Sequence, residues 1–186
     1  MTVVAYRDYD AGLHRFNFAA WAAQRAAARG LEGLNAALSL KLLGVPDLRV
    51  IASKLENLPS IEEFDRKHRE WRCELIRMAT PCDLTHGRAA KLINVYLKAL
   101  LLDQFGSDSD RPSSRNFANY VHPPIDRILL RNLSKNAIRT DRKKWRELMQ
   151  ANWTMFDSQT YEAAVDLMRH ETDHQLWKIE ALWSPT

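Results

Sequence analysis

Cysteine is almost missing from this chain: Cys73 and Cys82 are the only two in 186 residues. Two thiols cannot build a disulfide framework, and their ordinary reading is free thiols of a reducing compartment rather than half a metal site. Glycine is sparse too, with six, and none of them sits in a phosphate loop or a dinucleotide fingerprint. No stretch approaches the roughly 18 consecutive apolar residues that a membrane span needs. The opening MTVVAYRDYDAGLHRF has neither the basic start nor the apolar centre of a secretory signal. These absences lead to the expectation of a cytoplasmic protein with no membrane partner, no obligate protein partner, no metal and no cofactor. Alternation of apolar and polar residues is missing beyond Val3 to Tyr6, so a sheet is not expected.

What is present is helical periodicity. An apolar fraction of 46% and a charged fraction of 27% suit one buried core, and the expected architecture is a single all-α domain over residues 1–186, with about eight helices. An alanine-rich helix is expected from His14 to Arg29, stopped by Gly30, and a second from Leu31 to Leu43, stopped by Gly44. Pro46 starts a short one. Ser60-Ile61-Glu62-Glu63 reads as a capping box, with the Ser60 side chain on the helix amides and Glu63 reaching back, for a helix to about Met78. Pro81 to Gly87 reads as a tight connection, Gly106 to Ser114 as a loop, and Pro123-Pro124 as the start of a helix to Leu133. Two further helices are expected near Arg142 to Trp153 and Ser158 to Trp183.

Net charge is only +4, but its distribution is uneven. Arg127, Arg131, Lys135, Arg139, Arg142, Lys143, Lys144 and Arg146 stand against Asp141 alone. Such a run is either a solvated face or a polyanion footprint, in which each cation meets a phosphate and releases a counterion.

The segment Lys91-Leu92-Ile93-Asn94-Val95-Tyr96-Leu97-Lys98 places Lys91, Asn94 and Lys98 on one helical seam, with the rest apolar. Two lysines on a largely buried helix are costly unless they reach a groove, an anion or a substrate. Beyond it, His122-Pro123-Pro124-Ile125-Asp126-Arg127 sets an aspartate at the mouth of another helix.

Gly87-Arg88-Ala89-Ala90-Lys91 resembles the hairpin of the helix-hairpin-helix DNA glycosylases, whose lyase members carry Gly-x-Gly-x-Lys there, and Pro123 to Asp126 resembles the segment that carries their catalytic aspartate. The Lys91/Lys98 spacing is most similar to the archaeal 8-oxoguanine glycosylase branch. The likeness covers Gly87 to Leu133, within a hairpin and catalytic segment of residues 84–133; Ala89 replaces the second glycine, and Leu84-Thr85-His86-Gly87 replaces the usual Leu-Pro-Gly approach. The resemblance implies a helix-hairpin-helix fold and excision of a damaged or modified base from double-stranded DNA, in repair or in defence against foreign modified DNA. It implies Lys91 as Schiff-base nucleophile, deprotonated by desolvation and by Lys98, and Asp126 as the catalytic carboxylate. His86, Gly87, Arg88 and Ala89, with Arg127, Arg131, Arg142, Lys143 and Lys144, would hold the DNA backbone. Gln24, Asn94, His122, Trp177 and Trp183 are the candidates for the pocket of an extruded base.

Three other readings compete. His170-Glu171-Thr172-Asp173-His174 is a His-Glu-x-x-His pattern, which on a helix can hold Zn²⁺ with the glutamate as general base. No third ligand stands in step with it. Arg169 with His174, and Arg115 with His122, match loosely the Arg/His pair of HEPN ribonucleases, which cleave RNA without metal. Lastly, an incomplete hairpin can bind nucleic acid without chemistry.

Overall fold

The computed structural model describes residues 9–106 and 117–183. Among these the chain is all-helical, and no helix is long and apolar enough to cross a membrane.

Each start is set by local chemistry. Helix α1 (Ala11–Ala27) begins earlier than expected because the Asp10 side chain accepts the Leu13 amide at 2.7 Å. Gly30 and Gly33, at φ +68° and +85°, turn the chain, so α2 (Ala36–Leu43) starts at its Asn35 cap and not at Leu31. Next come α3 (Pro46–Ile51) and a 3₁₀ turn, Leu55–Asn57. Helix α4 (Ile61–Ala79) does start after Ser60, but without a capping box: the Ser60 hydroxyl lies 3.4 Å from the Glu63 carboxylate and makes no side-chain bond to a helix amide.

Helix α5 (His86–Gly106) starts five residues before Lys91. The loop expected to follow Gly106 lies outside the described residues, and residues 117–120 are helical again. The chain continues through α6 (Arg127–Asn136), α7 (Arg142–Ala151), a 3₁₀ turn at Trp153–Met155, α8 (Ser158–Thr172) and a 3₁₀ stretch, Leu176–Leu182. The long final helix expected from Ser158 to Trp183 is therefore broken. Asp173 and His174 take left-handed φ of 54° and 61°, which no helix continues through.

Two apolar cores flank α5. Leu92, Ile93, Tyr96, Leu97, Leu100 and Leu101 pack with α1, α2 and α4, whereas Ala90 belongs to the core of α6, α7, α8 and the C-terminal stretch. Leu92, Ile93, Leu97 and Leu101 have no exposed surface, and each such side chain contributes roughly 1.5–3 kcal/mol. Helix α1 runs antiparallel to α5: the Arg15 guanidinium donates to the Leu100 carbonyl, and Arg88 donates to the carbonyls of Ala27 and Arg29. Lys91 lies where the two cores meet.

Candidate active site

Asp126 caps α6. Its Oδ1 accepts the Leu129 amide at 2.9 Å, which aims Oδ2 back toward α5. There Oδ2 accepts from the Lys91 ammonium at 3.3 Å and from the Trp183 indole N–H at 2.9 Å. The two residues 35 positions apart that the sequence singles out thus meet, with Trp183 on the same carboxylate. Lys91 is 8% exposed, and its Nζ also stands 4.4 Å from the centre of the Trp153 ring.

Burial draws the Lys91 ammonium below its ordinary pKa; Asp126 opposes this, and the nearby Arg88 charge adds to it. Lys98 plays no part: its ammonium pairs with Glu180. For Asp126, burial alone would raise the pKa, but the Leu129 amide, the Trp183 indole and Lys91 more than reverse it, so it is held as a carboxylate. The resting pair is an ion pair in which the lysine's proton has been made easier to lose.

The supposed hairpin is built otherwise than expected. Gly87 to Lys91 lie inside α5 rather than in a turn before it. The Gly87 amide donates to the Phe156 carbonyl at 3.1 Å, and the Ala89 amide to the Thr85 carbonyl at 2.8 Å. Neither is available to a phosphate. Gly87 is needed for another reason: a Cβ there would sit 1.9 Å from the Trp153 carbonyl oxygen. Arg88, 7% exposed, spends its guanidinium on the open carbonyls at the end of α1, Ala27 at 2.6 Å and Arg29 at 3.1 Å. His86 is half-buried, with its Nδ1 enclosed and unpartnered. Of the expected backbone-binding set, Gly87, Arg88 and Ala89 are thus internal. Arg127, Lys143 and Lys144 are exposed, Arg142 donates to the Ala137 carbonyl at 2.8 Å, and Arg131 is half-buried.

Among the expected base-pocket residues, Gln24 is elsewhere: its amide ties α1 to the Leu34 carbonyl at 3.0 Å. Trp177 and His122 line a cleft of about 670 Å³ together with Lys98, Leu102, Val121 and Glu180. Lys98 stands two turns along α5 from Lys91, about 10 Å away, and neither Lys91 nor Asp126 is among the residues that line this cleft. A smaller hollow of about 270 Å³ lies on the other side, against Arg127, Asn152 and Trp153.

Asn94 is buried and does structural work next to the site. Its Nδ2 donates to the Pro123 carbonyl and to the Tyr161 hydroxyl, both at 3.0 Å, and its Oδ1 accepts from His68 Nε2 at 2.8 Å. The Pro123 carbonyl can only accept, so the amide orientation is fixed and His68 carries its proton on Nε2. The Tyr161 hydroxyl, already accepting from Asn94, donates to His122 Nδ1 at 3.0 Å, and His122 Nε2–H donates to Asp65 at 2.9 Å. Burial holds both histidines below their ordinary pKa, in the neutral form that this chain of bonds requires. The network pins residues 122–126, and hence Asp126, against α5. The sequence reading missed His68, Tyr161 and Asp65. A histidine at the core-facing spacing of α4 with Phe64, Trp71 and Leu75 was the available signal.

The competing motifs fare differently. Helix α8 ends at Thr172, which takes His174 out of register with His170, and their rings are 6.2 Å apart. The Glu171 carboxylate accepts the amides of Ile138, Arg139 and Thr140 and the Thr140 hydroxyl, at 2.7–3.1 Å. It is a loop cap, not a general base. Among the described residues no three His, Cys, Asp or Glu side chains are grouped to hold a metal ion. Arg115 lies outside the described residues. The Arg169 guanidinium approaches the His122 ring at 3.4 Å, whereas Arg169 meets His174 only through its carbonyl, which accepts the His174 amide at 2.8 Å; both ring nitrogens of His122 are already committed.

Comparison with protein-family models, curated proteins and solved structures finds no match for the chain.

Proposed function

We propose that the protein is a DNA glycosylase with lyase capacity, acting on a damaged or modified base. The observation that carries this reading is the meeting of the buried Lys91 with Asp126, with the Trp153 ring against the amine and the Trp183 indole on the carboxylate. The carboxylate is held ionised by three donors, where it stabilises positive charge on a sugar as the C1′–N bond breaks. The Lys91 amine, once its loosened proton is gone, attacks C1′; the base leaves with the bonding pair and takes up a proton. The attached amine loses a proton, its lone pair forms the C1′=N bond as the C1′–O4′ bond breaks, and O4′ takes up a proton; the resulting imine permits β-elimination and strand cleavage.

An extruded base needs a slot in which one face stacks and the edge meets polar groups. The cleft offers the Trp177 ring, 52% exposed, and the Lys98–Glu180 pair, which supplies a donor and an acceptor on one wall. Arg127, next to Asp126, with Lys143 and Lys144 on α7, supplies exposed cations for phosphates. Helix α5 contributes the nucleophile but, with its first amides engaged, not a phosphate-binding hairpin.

The test is borohydride trapping on DNA carrying an abasic site or a panel of modified bases, with and without EDTA. Wild-type protein should form a covalent adduct that resists EDTA and that Lys91→Gln lacks. Asp126→Asn should abolish base release while DNA binding survives. Full release by Asp126→Asn, or an adduct that persists in Lys91→Gln, would overturn the assignment.

A further inference from the structure

Helix α1 presents a second surface that neither core nor candidate site uses. His14, Phe18, Trp21 and Arg25 recur at spacings of four, three and four, so they form one stripe, opposite the buried Ala19, Ala20, Ala23 and Ala27. Phe18 and Trp21 are 57% and 52% exposed, and their rings lie 5.7 Å apart with a tilt of 36°. Two large aromatics at the centre of a solvent face, on a helix otherwise filled with alanine, leave an open π surface that costs free energy in water.

Along α1 itself the charges have one sign. Between Asp10 and Glu32 the sequence holds no acidic residue. Arg25 on the stripe and Arg29, two residues past the end of α1, are exposed and have no ion pair among the described residues. That end of α1 is also the end nearest Lys91, because Arg88, one turn before Lys91, donates to the Ala27 and Arg29 carbonyls.

We propose that the Phe18–Trp21–Arg25–Arg29 stripe binds single-stranded DNA, with bases stacking on the two rings and phosphates on the two arginines. A planar, anionic, repeating ligand matches both halves of the surface. Stacking on aromatics is tolerant of sequence, and guanidinium groups track the backbone. An acidic protein segment would answer the charge but leave the ring faces unused. The choice of DNA rests on the glycosylase reading, in which the protein meets a strand that is locally unpaired where a base is extruded.

The experiment measures anisotropy of a labelled oligo(dT) of about twelve nucleotides and of a blunt duplex carrying an abasic site. The proteins are wild type, Phe18→Ala/Trp21→Ala and Arg25→Gln/Arg29→Gln, each checked for an unchanged Tm. The aromatic variant should lose at least about tenfold in affinity for the single strand, since each stacked base is worth a factor of that order. Its affinity for the blunt duplex should hold. The arginine variant should bind with a shallower salt dependence, its logarithmic slope reduced by about 1.4. Wild-type affinity in both variants would overturn the proposal. So would binding of wild type to anionic phospholipid vesicles but not to oligo(dT), or a change in sedimentation on Phe18→Ala/Trp21→Ala that marks the stripe as a contact between copies. Borohydride trapping on the blunt duplex separates the two readings: an adduct with no stripe effect sinks the stripe alone, and a stripe effect with no adduct sinks the chemistry alone.

Discussion

Replacing Gly87 by alanine separates a structural glycine from a phosphate-binding one. The new Cβ would stand 1.9 Å from the Trp153 carbonyl oxygen and 3.1 Å from Phe156 Cβ. An ordinary carbon–oxygen contact is about 3.3 Å or more, so the 153–156 segment must retreat by roughly 1.4 Å. A gap of that width forfeits about half of the contact energy across it. Trp153 and Phe156 are 9% and 1% exposed and carry much of the packing of the second core on α5. Losing half of two such burials costs about 2 kcal/mol, and the stretched Gly87–Phe156 bond adds about 1 kcal/mol. The expected loss of about 3 kcal/mol lowers a urea midpoint by roughly 1.5 M, for a slope near 2 kcal/mol/M. Ala89→Gly, which restores the residue of the glycosylase hairpin, is the companion: it should cost only about 1 kcal/mol, as a helix-interior glycine does, and leave DNA affinity unchanged. A Gly87→Ala protein with the wild-type midpoint but weakened DNA binding would refute the reasoning and return Gly87 to a phosphate loop.

Acid should destabilise the fold early. His68 and His122 are held neutral by burial, below the 6.5 that they regain on unfolding, so the unfolded chain takes up protons first as pH falls. Stability should hold above pH 6.5 and drop below it by up to about 1.4 kcal/mol per pH unit for each histidine; a midpoint flat from pH 7 to 5 in urea titrations would contradict this. Glu162, held at about 2 by Arg69 first and by Ser158 and Arg72, adds a loss only in stronger acid, as pH falls through 4.5 toward 2. Glu171→Ala should loosen residues 138–140 and cost about 1–2 kcal/mol in this half-exposed setting, visible as faster amide exchange there, whereas EDTA should change neither stability nor any activity. Lys98→Met should leave adduct formation on abasic DNA intact and impair release of an intact modified base; equal loss of both would place Lys98 in the chemistry rather than in the cleft wall.

Fold class was legible because α5 and its neighbours repeat apolar residues at helical spacing, and short-range caps such as Asp10, Asn35 and Asp126 set most starts. Two boundaries misled for physical reasons. The final helix breaks at Asp173–His174, where the sequence offers neither glycine nor proline; the break depends on two non-glycine residues at positive φ. Helix α5 starts earlier than the sequence suggests, because Gly87 has the look of a turn residue and is instead a contact residue inside the helix. Sequence spacing sets Asp126 at a helix start and Lys91 on the apolar helix before it, but their meeting across 35 residues depends on Asn94 holding the Pro123 carbonyl. The Asn94, His68, Tyr161 and His122 chain links α4, α5, α8 and the 122–126 segment, and no local pattern encodes it. Lys98 illustrates the same limit: on the seam it reads as a partner of Lys91, and only the fold gives it Glu180.

The asymmetry within the Lys91–Asp126 pair bears on what the pair is for. A buried ion pair adds little stability, because desolvating both charges offsets most of their attraction. Asp126 is fixed from three sides, by the Leu129 amide, the Trp183 indole and Lys91, and cannot swing without uncapping α6. Among the described residues, Lys91 is held by one long hydrogen bond of 3.3 Å and by the face of Trp153. An ammonium has three donors, so two remain without a strong acceptor in a buried site. Arg88 nearby and the surrounding apolar side chains favour loss of one of those protons. An immobile carboxylate beside a loosely tethered amine with a weakened proton suits a nucleophile that must leave its partner to reach carbon. A purely structural bridge would pair the lysine at closer range or with more acceptors, as Glu162 does for Arg69 and Arg72 at 2.6–2.8 Å.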